Sequence, residues 1–440
     1  MRPTIPLVLV LPVLAALAPA QTFVVNAAGG GHFTDLPQAV AAVPNGAVLR
    51  VKPGVYSPFT LSNKSLRILG DDPASVVVNM QFSGITLGPT TAQQAIVIRD
   101  LRLEVAGVFL PPKLAITGAA GPVLLERVVF APPPAYFFGS SAFTITGSKN
   151  VHLLHCTLAP PGATQGANEP GKLAITDSLV EVTACTITGG VGASIDRFLA
   201  HPGSPGISLE RSFLHLVASQ VTGGVGVDGG LRGLSIWYPG AGGPGVRANA
   251  SVLHAVASTI TGGTGGNVNA SLPTGGAGGD GLVATAGETR NVGATFAGGP
   301  GGVGTTGPGP SGQPTVLLGG AKLYDPGTPA PLAVMLGTPA PGQHVTFALL
   351  ARPHDLALLA FGDAPALTPV PGLITTGTLH VLPIFTLGPF TIPATGRLDV
   401  PFQLATGWQL DRVVTFQFLT APLGVPEIWA SNLGTILVKS

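Results

Sequence analysis

Short runs of alternating apolar and polar residues recur along the middle of the chain. Helical spacing is absent from these runs, and Val, Ile, Leu and Thr dominate them, which favours β-strands. Four consecutive segments of 18 residues each end in Gly-Gly and align without gaps. The segments are LAITDSLVEVTACTITGG (173–190), ISLERSFLHLVASQVTGG (207–224), VRANASVLHAVASTITGG (246–263) and LVATAGETRNVGATFAGG (282–299).

The pieces between these segments vary in length, whereas the segments do not. The intervening pieces contain 16, 21 and 18 residues. A constant core with insertions at one fixed point is typical of a solenoid, in which stacked coils share one core. Looser copies of the 18-residue segment precede these four at 114–133 and 143–161, and a first copy includes 96–105. The pattern therefore predicts an all-β fold with a parallel β-helix over residues 21–314.

Strand alternation assigns the side chains of the repeated hexapeptide CTITGG to two faces. Ile187 and Cys185 are predicted to point inward, and Thr186 and Thr188 outward. Cys156 occupies the position of Cys185 one coil earlier, so their Cα atoms should lie about 4.8 Å apart. That separation suits a disulfide, although parallel stacking does not easily reach the required dihedral angle. The sequence leaves the bonded and the free forms open.

The N-terminal end combines an export signal with a capping helix. Residues 1–20 contain one Arg, a short apolar run broken by two prolines, and the ending APA. This pattern predicts a secretory signal cleaved before Gln21 rather than a membrane span. Thr34 or Asp35 can cap a short helix in FTDLPQAVAAV, which would cover the open end of the solenoid. We therefore expect a secreted or cell-surface protein.

The stretch FTDLPQAVAAVPNGAVLRVKPGVY, followed by LRILGDD, resembles the opening of the pectin-lyase-like superfamily and of pectin methylesterases in particular. The resemblance is close over about fifty residues and continues to about residue 315 only as a β-helix. It implies a right-handed parallel β-helix and acidic polysaccharide substrates. The catalytic motifs of methylesterases, such as DFIFG and LGRPW, are missing from the sequence. The resemblance therefore implies a fold more than an activity.

Residues 315–440 follow a different pattern. Strand-like segments such as HVTFALLA and VVTFQFL alternate with Pro/Gly turns after the glycine-rich stretch 298–314. Such spacing predicts a β-sandwich domain. The ending VTFQFLTAPLGVPEIWASNLGTILV resembles C-terminal modules of secreted proteins of environmental bacteria such as planctomycetes.

Charge and composition narrow the functional classes. The chain has 21 basic and 20 acidic residues, and charged residues make up only 9% of it. This balance argues against a nucleic-acid binder or a polybasic membrane patch. His215 and His254 occupy equivalent coil positions, but the pattern places no carboxylate or third ligand beside them. We therefore expect no metal site and no cofactor.

The chemistry-bearing residues gather in two of the variable loops, 191–206 and 225–245. Adjacent aromatic and charged side chains on neighbouring loops suit a sugar chain, although the aromatic pair could instead pack onto the solenoid and staple its loop. The candidate ligand-binding residues are Arg197, His201, Arg232, Trp237 and Tyr238.

Two functions follow from these loops. The first is a non-catalytic protein that binds an extracellular polysaccharide or a partner along one side of the solenoid. The alternative is a lyase, hydrolase or esterase acting on polysaccharides, with Asp196 and Asp228 as a carboxylate pair on adjacent loops. The other glycine-rich loops, 264–281 and 300–313, are predicted to be flexible turns or glycine-packed extended segments.

Overall fold

The structure is a computed structural model, and it describes most of the chain from Gln21 onward. The predicted signal, residues 1–20, lies outside the described residues. No helix in the described part is long and apolar enough to cross a lipid bilayer. The described residues are 21–80, 83–104, 114–131, 143–158, 173–192, 201–232, 235–268, 273–324, 332–336, 344–351, 354–362, 365–368, 374–376, 379–381, 385–395, 397–403, 413–421, 428–430 and 434–437.

Two long parallel sheets confirm the predicted parallel β-helix. One has 18 strands and the other nine, and the strands pair in parallel with their equivalents in neighbouring coils. The right hand of the helix stays a prediction. Its strands are β1 Thr22–Val25, β2 Ala47–Val51, β3 Gly54–Tyr56, β4 Thr60–Leu61, β5 Leu66–Gly70, β6 Val76–Asn79, β7 Ile85–Leu87, β8 Ile96–Arg99, β9 Arg102–Glu104, β10 Leu114–Thr117, β11 Val123–Glu126, β12 Val129–Ala131, β13 Phe143–Thr146, β14 Val151–Leu154, β15 Thr157–Leu158, β16 Leu173–Thr176, β17 Leu179–Thr183, β18 Thr186–Thr188, β19 Ile207–Glu210, β20 Phe213–Val217, β21 Gln220–Thr222, β22 Gly230–Arg232, β23 Ser235–Trp237, β24 Val246–Val256, β25 Thr259–Thr261, β26 Leu282–Val292, β27 Thr295–Ala297, β28 Thr315–Leu318 and β29 Lys322–Tyr324, of which β22 and β23 form a separate hairpin.

The interior of the solenoid follows the predicted faces. Ile187 and Cys185 are buried, whereas Thr186 is exposed, so the alternation in CTITGG is confirmed. The strand register places Val221 and Ile260 on the same inward column as Ile187. Burying one such side chain per coil stabilises the stack by about 1.5–3 kcal/mol each.

A neighbouring inward column is held by hydrogen bonds as well as by packing. The backbone N–H of Cys156 donates to Cys185 Sγ at 3.2 Å, and the N–H of Cys185 donates to Ser219 Oγ at 3.1 Å. The N–H of Ser219 donates in turn to Ser258 Oγ at 3.1 Å. Both cysteines are free thiols in the structure. Burial raises the pKa of Cys185 well above its ordinary value, which keeps this thiol protonated.

The first coil is closed by the predicted helix, α1 (Leu36–Ala42). Asp35 is its N-cap, and its Oδ1 accepts the backbone N–H of Leu36 at 2.8 Å. At the other end, Lys64 Nζ donates to the carbonyl oxygens of Val40 and Val43. Leu36 and Val40 are buried against the first coil, so the helix covers the apolar interior there.

The strand pairing of the solenoid runs past the predicted domain boundary at residue 315. β28 and β29 pair in parallel with β26, so the solenoid continues at least to Tyr324. The glycine-rich stretch 298–314 has the composition of a linker, but it forms the last loop of the solenoid. Glycine serves both flexible and close-packed segments, so composition alone does not distinguish a linker from a packed loop.

The remaining described strands form mostly antiparallel sheets. The largest two contribute apolar side chains to one cluster that includes Phe347, Phe361, Phe416 and Phe418. This arrangement agrees with the predicted sandwich in having antiparallel sheets around a shared core. The strands are β30 Leu332–Leu336, β31 His344–Leu350, β32 Leu356–Gly362, β33 Pro365–Thr368, β34 Ile374–Thr376, β35 Leu379–Val381, β36 Phe385–Thr391, β37 Arg397–Gln403, β38 Val413–Ala421, β39 Ile428–Ala430 and β40 Gly434–Leu437.

Candidate functional site

The variable loops of the later coils form a hydrogen-bonded bundle of extended segments, which we call the glycine bundle. Each loop leaves the solenoid in an outgoing run and comes back in a return run. The outgoing runs are 189–192, 223–229, 262–268 and 298–304, and the return runs are 201–206, 239–245, 275–281 and 307–313.

Hydrogen bonds between neighbouring runs recur every third residue. Along one outgoing run, the N–H groups of Gly223, Gly226 and Gly229 donate to carbonyl oxygens of the next coil, which are also three residues apart, at Thr261, Thr264 and Asn267. A period of three is typical of the polyproline II conformation, whose backbone groups make no internal hydrogen bonds and remain available to neighbours. Outgoing and return runs are joined in the same way, as in the bond from Gly263 N–H to the Gly243 carbonyl at 2.7 Å.

The runs approach too closely for side chains between them. A Cβ on Gly263 would lie 1.9 Å from the carbonyl oxygen of Gly224, and one on Gly243 would lie 2.3 Å from that of Ser204. Such contacts exclude every residue except glycine. Of the two structures predicted for these loops, the glycine-packed one is confirmed. The loops therefore form a backbone-packed platform.

One hairpin projects from this platform. β22 and β23 pair antiparallel, with Gly230 opposite Trp237. The hairpin base is tight, since a Cβ on Gly229 would lie 2.7 Å from the Trp237 carbonyl oxygen. Trp237 is half-buried and Tyr238 is 54% exposed. The hairpin therefore presents two adjacent aromatic residues, and Tyr238 faces solvent.

Asp228 and His201 lie near the base of the hairpin. Asp228 Oδ1 accepts the backbone N–H of Asn267 at 2.7 Å, which ties two neighbouring loops together. The carbonyl oxygen of His201 lies 2.6 Å from the Cβ position of Gly240, just beyond Tyr238. The structure thus brings His201 and Asp228 to the same end of the glycine bundle as the hairpin.

The side chains of the other three predicted residues, Asp196, Arg197 and Arg232, are not described by the structure. Asp196 and Arg197 lie outside the described residues, and for Arg232 the structure describes only the backbone, which pairs with Ser235. The described part of the chain contains no group of three or more His, Cys, Asp or Glu side chains able to hold a metal ion. Chemically, the described site offers an aromatic surface, one exposed carboxylate and many fixed backbone groups.

A buried ionisable column was missed in part by the sequence analysis. Strand register aligns Glu181 with both His152 and His215, and His215 with His254, so a carboxylate does join the histidines. His152 Nδ1 lies 2.9 Å from Glu181 Oε2, and both side chains are fully buried. Burial lowers the pKa of His254 to about 3, with help from His215 and Arg290. In the sequence, the segments LVEV, FLHL and VLHA place these ionisable residues at equivalent positions. The column becomes apparent only when the strands are paired in register.

The sequence matches no family model and no curated protein. Among solved structures, the crystal structure of pectate lyase Pel9A is similar, with 12% sequence identity and a TM-score of 0.35. The match covers 72% of this chain and 82% of that chain.

Proposed function

We propose that the chain is an exported, non-catalytic protein that binds an extracellular polysaccharide at the hairpin and the adjoining end of the glycine bundle. The exposed aromatic ring of Tyr238 beside Trp237 is the observation that carries the proposal. Aromatic rings with a polar tip are favoured at binding surfaces because they combine apolar area with a hydrogen-bonding group. A near-neutral chain with few charges also suits a ligand recognised by stacking and neutral hydrogen bonds.

Rigidity supports the same proposal. The hairpin stands on runs whose backbones are hydrogen-bonded on both sides. The N–H of Gly240, for example, donates to the Val227 carbonyl, and the Gly240 carbonyl accepts the N–H of Gly266. A binding group held by a fixed scaffold loses little conformational freedom when a ligand arrives, which favours affinity. The staple interpretation, in which both aromatic residues pack down, fits Trp237 better than Tyr238.

The first test is binding of the mature chain, residues 21–440, to a panel of immobilised and soluble polysaccharides. Tyr238→Ala and Trp237→Ala should each weaken binding about tenfold or more, as expected for aromatic anchors of a binding surface. Val55→Ala is the matched control, because Val55 is 63% exposed on β3 and lies in the first coils. Equal binding by all variants would overturn the hairpin as the site.

The same panel separates binding from catalysis. Release of reducing ends, unsaturated products or free acid would contradict the non-catalytic proposal and support the enzyme alternative. Asp228→Asn is the matched variant, since an amide oxygen can still accept the N–H of Asn267 and keep the loops joined. We expect Asp228→Asn to bind as the native chain does; loss of a measured turnover in this variant would identify Asp228 as catalytic.

A further inference from the structure

One wall of the solenoid, which we call the threonine wall, keeps its outward side chains exposed over four successive coils. Its strands are β18, β21, β25 and β27, which pair in parallel without a register shift. The first residue of each strand points outward and is exposed, in the order Thr186, Gln220, Thr259 and Thr295. By contrast, the wall that contains β11, β14 and β17 buries outward side chains such as Leu124 and Glu181.

The outward residues of the threonine wall form two rows. Strand register aligns a half-buried second row, two residues further along each strand, which consists of Thr188, Thr222, Thr261 and Ala297. None of these eight positions is charged, whereas β9, earlier in the same sheet, carries the exposed ion pair Arg102–Glu104. The wall is therefore a neutral array of hydroxyl groups, from which only Gln220 and Ala297 depart.

The geometry of a parallel sheet sets the spacing of this array. Residues two apart along a strand are separated by about 6.6 Å, and equivalent residues of adjacent coils by about 4.8 Å. The prism face of hexagonal ice presents oxygen atoms at two similar repeat distances. A hydroxyl group both donates and accepts hydrogen bonds, as a water molecule does. The array can therefore hold a layer of water molecules in positions that fit an ice surface.

The hydroxyl groups are also held in place from behind. Between the two rows, the inward residues Ile187, Val221 and Ile260 are buried in the core and anchor each strand. At the loop side, the N–H of Gly223 donates to the Thr261 carbonyl, which fixes the end of the wall. Threonine is β-branched and stiff at χ1, and a surface that is already ordered loses little freedom when it binds.

We propose that the threonine wall binds ice through a layer of ordered water. The neutrality of the array favours this occupant over a charged polymer, which would require complementary charges. A crystalline polysaccharide is disfavoured because none of the eight positions carries an aromatic ring to stack on a sugar. A second copy of the chain is disfavoured because the wall lacks the apolar centre of a homodimer interface. The wall is distinct from the hairpin, so this inference does not depend on polysaccharide binding there.

Growth of a single ice crystal in a solution of the mature chain, residues 21–440, tests the proposal. We expect a faceted crystal and a gap between its melting and freezing temperatures. The double variant Thr186→Lys/Thr259→Lys should lose both effects, because long charged side chains would hold the wall away from the lattice. Thr117→Lys/Thr146→Lys, at two exposed threonines of another wall, is the matched control and should keep both. Circular dichroism establishes that each variant is folded.

Rounded crystals without a temperature gap in the native solution would overturn the proposal, as would full activity of Thr186→Lys/Thr259→Lys. Tyr238→Ala should shape ice as the native chain does, and loss of shaping in this variant would place the contact at the hairpin instead. Sedimentation with cellulose or chitin is the last comparison. Binding to either polymer that disappears in Thr186→Lys/Thr259→Lys, from a native chain that leaves ice unshaped, would identify a crystalline polysaccharide and contradict ice binding.

Discussion

The solenoid interior and the glycine bundle are stacked along the same axis but filled in opposite ways. In the interior, Ile260 and its column fill the space with apolar side chains. Three residues further along the same coil, Gly263 fills the space with backbone alone, and its N–H bonds to the carbonyl of Gly243. One region is stabilised by burying apolar surface, the other by satisfying closely packed polar groups.

The difference determines which kind of substitution destabilises each region. A cavity is the main risk in the interior, whereas an added methyl group is the main risk in the bundle. Two positions of one coil therefore have opposite requirements. The interior position needs a large apolar side chain, whereas the position in the glycine bundle has no room for one.

The largest effect should come from creating a cavity in the interior. Ile260→Ala is expected to lower the free energy of unfolding by about 4 kcal/mol, because Ile260 is fully buried between neighbouring coils. Thermal or denaturant unfolding measures the change. The neighbouring Thr259→Ala, at an exposed position, should stay within about 0.5 kcal/mol of the native chain; similar losses in both variants would argue against the assigned faces.

Adding one methyl group to the bundle should have the next largest effect. Gly263→Ala is expected to cost about 3 kcal/mol, since its Cβ would meet backbone atoms that cannot rotate away. Gly307→Ala is the matched control in the same bundle, because a Cβ there meets nothing within 4 Å. Equal stability of the two variants would mean that the runs are not packed as described.

Acid should weaken the solenoid wall through His254. Its pKa is lowered to about 3 in the folded chain, whereas an unfolded histidine titrates near 6.5. The unfolded chain therefore binds the proton first, so this contribution is present above pH 6.5 and is lost as pH falls toward 3. Between pH 7.5 and pH 5 the expected loss is about 2 kcal/mol. His254→Leu should flatten this part of the pH profile of unfolding, and an unchanged profile would contradict the assignment.

The smallest expected effect is at the hydrogen-bonded column beside the core. Ser219→Ala removes the acceptor for the Cys185 N–H and should cost about 1 kcal/mol. Ser219→Cys should cost less, since Cys185 Sγ already accepts the equivalent N–H of Cys156. Unfolding of the two variants side by side gives the comparison, and a larger loss in the cysteine variant would count against it.

The parts of the fold that depend on local periodicity can be predicted from the chain alone. Alternation fixed which face each strand residue of CTITGG presents, because successive side chains of a strand point to opposite sides. The constant core with variable insertions determined the stacked coils, and a capping residue before a short amphipathic stretch determined α1. These signals lie within a few residues of one another, so no distant contact is needed to see them.

The features that depend on register between coils are visible in the folded structure and not in the sequence. The folded structure shows that residues 298–313 belong to the glycine bundle and that β28 and β29 extend the solenoid. It also shows that Glu181 lies beside His152 and His215. Asp228 likewise looked like an acid–base group, and the structure gives it a bond to the N–H of Asn267. Glycine composition and isolated ionisable residues do not specify their neighbours. Stacking the coils in register does, because it brings residues 29, 34 and 39 positions apart into contact along the histidine column.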